Sequence, residues 1–198
     1  MSTDGVDLNR RHFLTVATTV VGGVGVVAAA VPFVASMKPS ARAKAAGAPV
    51  ELDISKIEPG GMAKVEWRGK AVAVVRRSPE LIERTESMDP STLRDPKSEM
   101  DQQPAYAENT LRSIKPEYFV TVLNCTHLGC APQFRPEVAP EDIGPDFKGG
   151  FFCPCHGSKF DLAGRVYKGV PAPLNLVVPP HRYLSPTNLL IGEDGGAA

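Results

Sequence analysis

Two short segments in the C-terminal half concentrate the residues able to do chemistry: Cys125-Thr126-His127-Leu128-Gly129-Cys130 and Cys153-Pro154-Cys155-His156-Gly157-Ser158. Together they hold all four cysteines of the chain and two of its four histidines. A 2Fe–2S cluster with two Cys on one iron and two His on the other needs four of these donors. The two cysteines left over fall one in each segment, as a disulfide clasping two loops requires. Two plain disulfides would be the first reading of four cysteines in an exported chain. They leave His127 and His156 unexplained, each within three residues of a Cys in a Gly-bearing turn. Structural zinc takes four ligands, typically in C-x2–4-C and H-x3–5-H pairs. The spacings here are C-x-H-x2-C and C-x-C-H, and zinc strands two donors. The mixed Cys/His cluster with one disulfide gives every donor a role; zinc and plain disulfides stay as its alternatives.

Such a centre can handle an electron and a proton together. Neutral imidazoles in place of two thiolates leave the cluster less negative, which raises its potential. Each histidine keeps one ring nitrogen away from iron and able to carry a proton. Electron and proton uptake are thereby coupled at one group.

The pair CTHLGC and CPCHGS resembles the cluster-binding boxes of the Rieske iron–sulfur proteins, in particular the membrane-anchored, high-potential subunit of bacterial ubiquinol:cytochrome c reductases. The resemblance extends over nearly the whole chain. It implies Cys125 and Cys153 on one iron, His127 and His156 on the other, and a Cys130–Cys155 disulfide. It implies that His156 meets the quinol and accepts its proton, and that Leu128 covers the cluster tip at the docking surface. Gly129 and Gly157 belong to the same boxes. Ser158 corresponds to a serine donating to a bridging sulfide. Pro171 lies in Gly169-Val170-Pro171-Ala172-Pro173, which matches the Pro-rich loop covering the cluster from a third side, with Val170 as an extra residue. Two positions after Ser158 the family usually carries a tyrosine donating to a ligand sulfur; here the residue is Phe160. Loss of that hydroxyl predicts a lower potential.

The elements around the boxes can be read in turn. Asn9-Arg10-Arg11-His12-Phe13-Leu14 resembles a twin-arginine export motif, a receptor-read address for proteins exported already folded. Phe13 to Met37 is 25 residues without a charge, and about 20 suffice to span a bilayer core. No A-x-A cleavage site follows the apolar run directly, so it is read as an uncleaved anchor. The division expected is a cytoplasmic segment 1–12, a transmembrane anchor 13–37, a flexible hinge linker 38–49 and a head 50–198 with cluster-binding loops at about 124–173. Lys38, Arg42 and Lys44 fall on the exported side, so the export address has to override the positive-inside rule. The location implied is a bacterial inner membrane, single-pass, with a periplasmic head.

The head reads as mainly β. Ala63–Trp67 alternates, Arg68-Gly69-Lys70 reads as a turn and Ala71–Val75 completes a hairpin. Tyr118–Leu123 leads as a strand into the first box, and Gly150–Phe152 into the second. Tyr183-Leu184 and Leu189–Ile191 form a closing hairpin. The region 79–113 is polar and Pro-punctuated, helical at Glu80–Glu86, with Glu and Arg on a solvated face. The fold implied by the resemblance is a Rieske-type antiparallel β-sandwich with a small cluster-binding subdomain and a helix-loop insertion. His181, beside Pro179-Pro180, reads as a surface histidine.

A net charge of zero without a basic stretch argues against nucleic acid. No P-loop, dinucleotide fingerprint or nucleophile elbow is present. The function expected from the resemblance is that of an iron–sulfur subunit, inactive alone. It takes one electron from ubiquinol at a cytochrome b site and passes it to a c-type cytochrome by movement of the head, within a dimeric complex. Two alternatives belong to other classes: an exported Rieske small subunit of an arsenite-oxidase-like enzyme, and a non-redox, zinc- or disulfide-stapled tethered binding domain.

Overall fold

The computed structural model describes residues 7–195 and divides into two units, one up to Ala45 and one from Ala46 onward. Residues 1–6, which carry half of the expected cytoplasmic segment, lie outside the described residues. The first unit is dominated by helix α1, Leu8–Ser36. Its 29 residues measure about 43 Å at 1.5 Å per residue, more than the roughly 30 Å of a hydrocarbon core. The helix starts before the apolar run: the Asp7 carboxylate caps it by accepting from the backbone N–H groups of Asn9 and Arg10. Arg10 and Arg11 therefore lie in its first turn. Thr15, Thr18 and Thr19 each return their hydroxyl to the carbonyl four residues back, so these polar side chains satisfy themselves within the helix. The expected hinge holds a short helix, α2, Ala41–Ala46, whose first turn Ser40 caps by accepting from the Ala43 N–H. An Ala-rich segment has the highest helix propensity of any composition, and that outweighs the lack of apolar periodicity.

Among the described residues of the second unit, three antiparallel three-stranded sheets make up the head. Strands β1 (Val50–Asp53), β9 (Asn188–Ile191) and β8 (His181–Ser185) form the first, in that order. Strands β2 (Met62–Trp67), β3 (Lys70–Arg76) and β4 (Tyr118–Val122) form the second. The third, small sheet is β5 (Gln133–Arg135), β6 (Gly150–Cys153) and β7 (Ser158–Phe160). The β2–β3 hairpin closes with Trp67 opposite Lys70, leaving Arg68 and Gly69 as a two-residue loop with φ of 53° and 70°, the primed turn that matches strand twist.

The second sheet has an apolar cluster on each face. Val72 and Val74 of β3 and Tyr118, Val120 and Val122 of β4 pack with Leu189 and Ile191 of the first sheet. The alternate residues Ala73, Val75 and Phe119 pack with Phe151, Phe160, Cys125 and Cys153 on the side of the third sheet. Burial on both faces explains why Tyr118–Val122 is apolar almost throughout rather than alternating, with Thr121 excused by its hydroxyl bond to the Val177 carbonyl at 3.0 Å.

Helix α3, Pro79–Glu86, opens the insertion, capped by Ser78. Its polar face is more than solvated. Arg84 pairs with Glu80 and also donates to the Pro136 carbonyl at 2.8 Å, tying the helix to the loop after β5.

Candidate metal centre

The two boxes leave rigid strands in the same way. Cys125 follows β4 and Cys153 ends β6; each carbonyl accepts from the N–H of the glycine four residues on, Gly129 at 2.9 Å and Gly157 at 3.0 Å. Both glycines have positive φ, 86° and 74°, a region open to Gly without the Cβ penalty. Two tight turns result, each with a cysteine at its buried root and a histidine at its crown.

These turns meet. The Cys125 and Cys153 thiols are free, buried and hydrogen-bonding neighbours. The rings of His127 and His156 stand edge to face with centroids 4.7 Å apart. His127 is half-buried and His156 exposed. Cys130 and Cys155 are joined in a disulfide, with Cα atoms 6.7 Å apart. The sulfur of Cys153 lies within 4.8 Å of both disulfide sulfurs; with two of that trio in a covalent bond, it is not a thiolate metal site. The backbone N–H of Cys125 donates to the Cys130 carbonyl at 2.7 Å, closing the first box on itself.

A third wall comes from the Pro-rich loop. Its Ala172 N–H donates to the Ser158 hydroxyl at 3.1 Å, and Thr126 donates to the Leu174 carbonyl at 2.7 Å. One contact reaches each box. Val170 is buried and Pro171 exposed, so the extra residue is packed inward while the proline faces out. Leu128 is 72% exposed, an apolar side chain on the crown of the first box. Phe160 is fully buried, in the cluster that contains Cys125 and Cys153.

The donor set fits an iron–sulfur group. Burial holds the Cys153 thiol above its usual range, with the neighbouring Cys125 acting in the same direction. Two buried cysteine sulfurs side by side are the donor pair that an iron–sulfur group takes on one iron. The fully buried Ser158 hydroxyl is used as an acceptor, which leaves its own proton to donate.

The description "Rieske [2Fe-2S] domain" matches residues 49–180, and "Ubiquitinol-cytochrome C reductase Fe-S subunit TAT signal" matches residues 1–40. The chain is 63% identical over 198 residues to the ubiquinol-cytochrome c reductase iron-sulfur subunit of Allochromatium vinosum, covering all of this chain and 95% of that one. The chain belongs to the Rieske iron–sulfur subunits of ubiquinol-cytochrome c reductase. The subunit from Blastochloris viridis is 42% identical over 192 residues, covering 96% of this chain and 97% of that one. A solved structure titled "Hyperthermophilic respiratory Complex III" aligns with 28% identity and a TM-score of 0.46, over 88% of this chain and 98% of that one. As a Rieske subunit the chain carries a 2Fe–2S cluster and is part of an oxidoreductase complex. The TAT signal and the apolar helix fit a membrane-anchored, exported Rieske subunit.

Sequence reasoning missed several residues that shape this site. Thr126 is one, since nothing in the sequence says that its hydroxyl reaches Leu174. Asp161 and Arg165 are others: a buried ion pair at 2.7 Å, directly after β7. Their spacing of four residues was the available signal. Asn175, fully buried at the end of the Pro-rich loop, gave none.

Proposed function

We propose that Cys125, Cys153, His127 and His156 hold the 2Fe–2S cluster, and that His156 accepts a hydrogen bond and then the proton from ubiquinol. The meeting of the two histidine rings beside two free buried thiols carries this reading. When bound there, the cluster supplies one-electron chemistry. The chain's own residues do the rest. His156, exposed where His127 is half-buried, presents its outer ring nitrogen to the quinol hydroxyl. Leu128 on the first box and Pro171 on the Pro-rich loop are exposed apolar side chains available to exclude water once a partner docks. The Cys130–Cys155 disulfide holds the two crowns together, and Ser158 supplies a proton-donating hydroxyl within the buried root. The partners are cytochromes of the respiratory complex: cytochrome b, which supplies the quinol site, and a c-type cytochrome, which receives the electron after the head moves on its 38–49 tether. The complex is dimeric, and the head lies on the periplasmic side of the inner membrane, with Arg10 and Arg11 as the export address.

The test is a redox-titrated EPR spectrum of membranes expressing the chain, with and without an inhibitor of the quinol-oxidation site. A Rieske-type signal shifted by the inhibitor is expected. A signal indifferent to the inhibitor would overturn the quinol docking, and an absent signal in folded, iron-supplied protein would overturn the ligand set.

A further inference from the structure

The region 79–113 does more than decorate the head. Its backbone pairs antiparallel with the rising limb of the Pro-rich loop: Arg94 N–H donates to the Val166 carbonyl and Lys168 N–H to the Thr92 carbonyl, both at 2.9 Å, around a Leu93–Tyr167 bridge. The falling limb ends at Asn175, whose carboxamide is fully buried. Its Oδ1 accepts from the Val166 N–H at 2.9 Å, closing the loop at its base. Its Nδ2 donates to the Asp95 carbonyl at 3.0 Å and lies 3.4 Å from Asp95 Oδ2 and 3.3 Å from Ser98 Oγ. Asp95 in turn uses its carboxylate to accept from the Glu99 and Met100 N–H groups, so it is itself fixed within a turn.

We propose that Asn175 is a positioning residue that clasps the two limbs of the Pro-rich loop and fastens them to the insertion, so that the insertion sets how firmly the third wall closes on the metal centre. The effect reaches the site through the loop tip, where Ala172 meets Ser158 and Leu174 meets Thr126. Asn is the residue for this task because one end of its amide accepts and the other donates. The buried chain continues from Ser98: its carbonyl accepts from Gln103 at 2.8 Å, Gln103 accepts from Arg112 at 2.8 Å, and Arg112 donates to Ala163 at 3.0 Å, just past the second box. A loop tied at base and tip has little freedom, and the Ser158 hydroxyl is aimed by the Ala172 N–H.

The proposal rests on the ligand assignment above, and its test separates the two. In the cluster-loaded membrane complex, Asn175→Asp keeps the acceptor, loses the donor and sets a carboxylate against Asp95. Backbone hydrogen exchange across 166–174 should quicken by about tenfold or more. The midpoint potential and EPR lineshape should shift with it. Adding Asp95→Asn removes one of the two facing carboxylates, at the cost of the Met100 N–H contact, and should return all three part of the way toward wild type. Unchanged exchange and potential in Asn175→Asp would overturn the clasp. The wild-type chain tests the point without substitution: the Val166 and Ala172 amides should exchange with those of Glu99 and Met100 as one protected unit. A freely exchanging Val166 beside a protected Glu99 would overturn the proposal. A wild type without a Rieske-type signal would instead overturn the ligand assignment.

Discussion

His127 and His156 meet edge to face at 4.7 Å with their planes at 85°, yet only His156 is exposed. The two histidines proposed as ligands therefore differ in what they can present to a partner. Substitution of His156 by Cys should lower quinol oxidation by at least about 100-fold, the usual worth of a positioned proton acceptor. Steady-state quinol:cytochrome c turnover in membranes measures it, with iron content confirming that a cluster is held. Retained turnover would remove His156 from the proton path.

Phe160, which the resemblance sets where a tyrosine is expected to donate to a ligand sulfur, is fully buried in the apolar cluster that includes both free cysteines. Phe160→Tyr should raise the midpoint potential by about 20–65 mV, from a hydrogen bond worth about 0.5–1.5 kcal/mol to the reduced site. Redox titration by EPR decides it. An unchanged potential with lowered stability would mean that the new hydroxyl is buried without a partner.

His181 was expected at the surface and is 1% exposed. Its Nδ1 lies 2.8 Å from the Pro179 carbonyl, which only accepts, so Nδ1 carries the proton. Nε2 is then buried without a partner, and burial lowers the pKa of the ring. Below the unfolded value of about 6.5, the unfolded chain takes up a proton that the folded chain resists. Stability should therefore rise with pH up to about 6.5 from this group and be flat above it. Urea midpoints at low and neutral pH, compared with His181→Phe, isolate the contribution: the variant should lose less stability on acidification.

Arg165 pairs with Asp161 at 2.7 Å and also donates to the Thr85 carbonyl at 3.0 Å. Arg165→Met strands a buried carboxylate and should cost about 3–5 kcal/mol. Adding Asp161→Asn removes the stranded charge and keeps an oxygen for the Ala163 and Arg165 N–H groups, so part of the loss should return. Denaturant unfolding of the two variants measures the difference.

The meeting of the two boxes was legible in residue type and spacing, with His127 against His156 and Cys130 joined to Cys155. The β2–β3 hairpin was legible because its alternation and its turn lie side by side. Strand β1 was not: it is four residues long and pairs with β9 through Val50–Ile191, a partner too distant for any local pattern to reveal. Strands β5 and β7 have three residues each and too little length to show a period. The buried arginines 77, 112 and 165 carry no mark of burial in the sequence. The terminal nitrogens of Arg77 and Arg112 donate to carbonyls and side chains of the insertion and the box-flanking turn, while the Nε of each is buried without a partner, and burial pulls the pKa of each down to about 10. The helix Ala41–Ala46 is legible in its Ala-rich propensity alone, since it carries no apolar periodicity.

Strand β4 faces two cores at once, with Phe119 toward the metal centre and Val120 toward the first sheet. Neighbouring codons in one strand consequently answer to different selection. A change at Val120 is judged by whether the head still folds, whereas one at Phe119 is judged also by what it does to electron transfer. Drift along this strand should accordingly run at two tempos, alternating residue by residue.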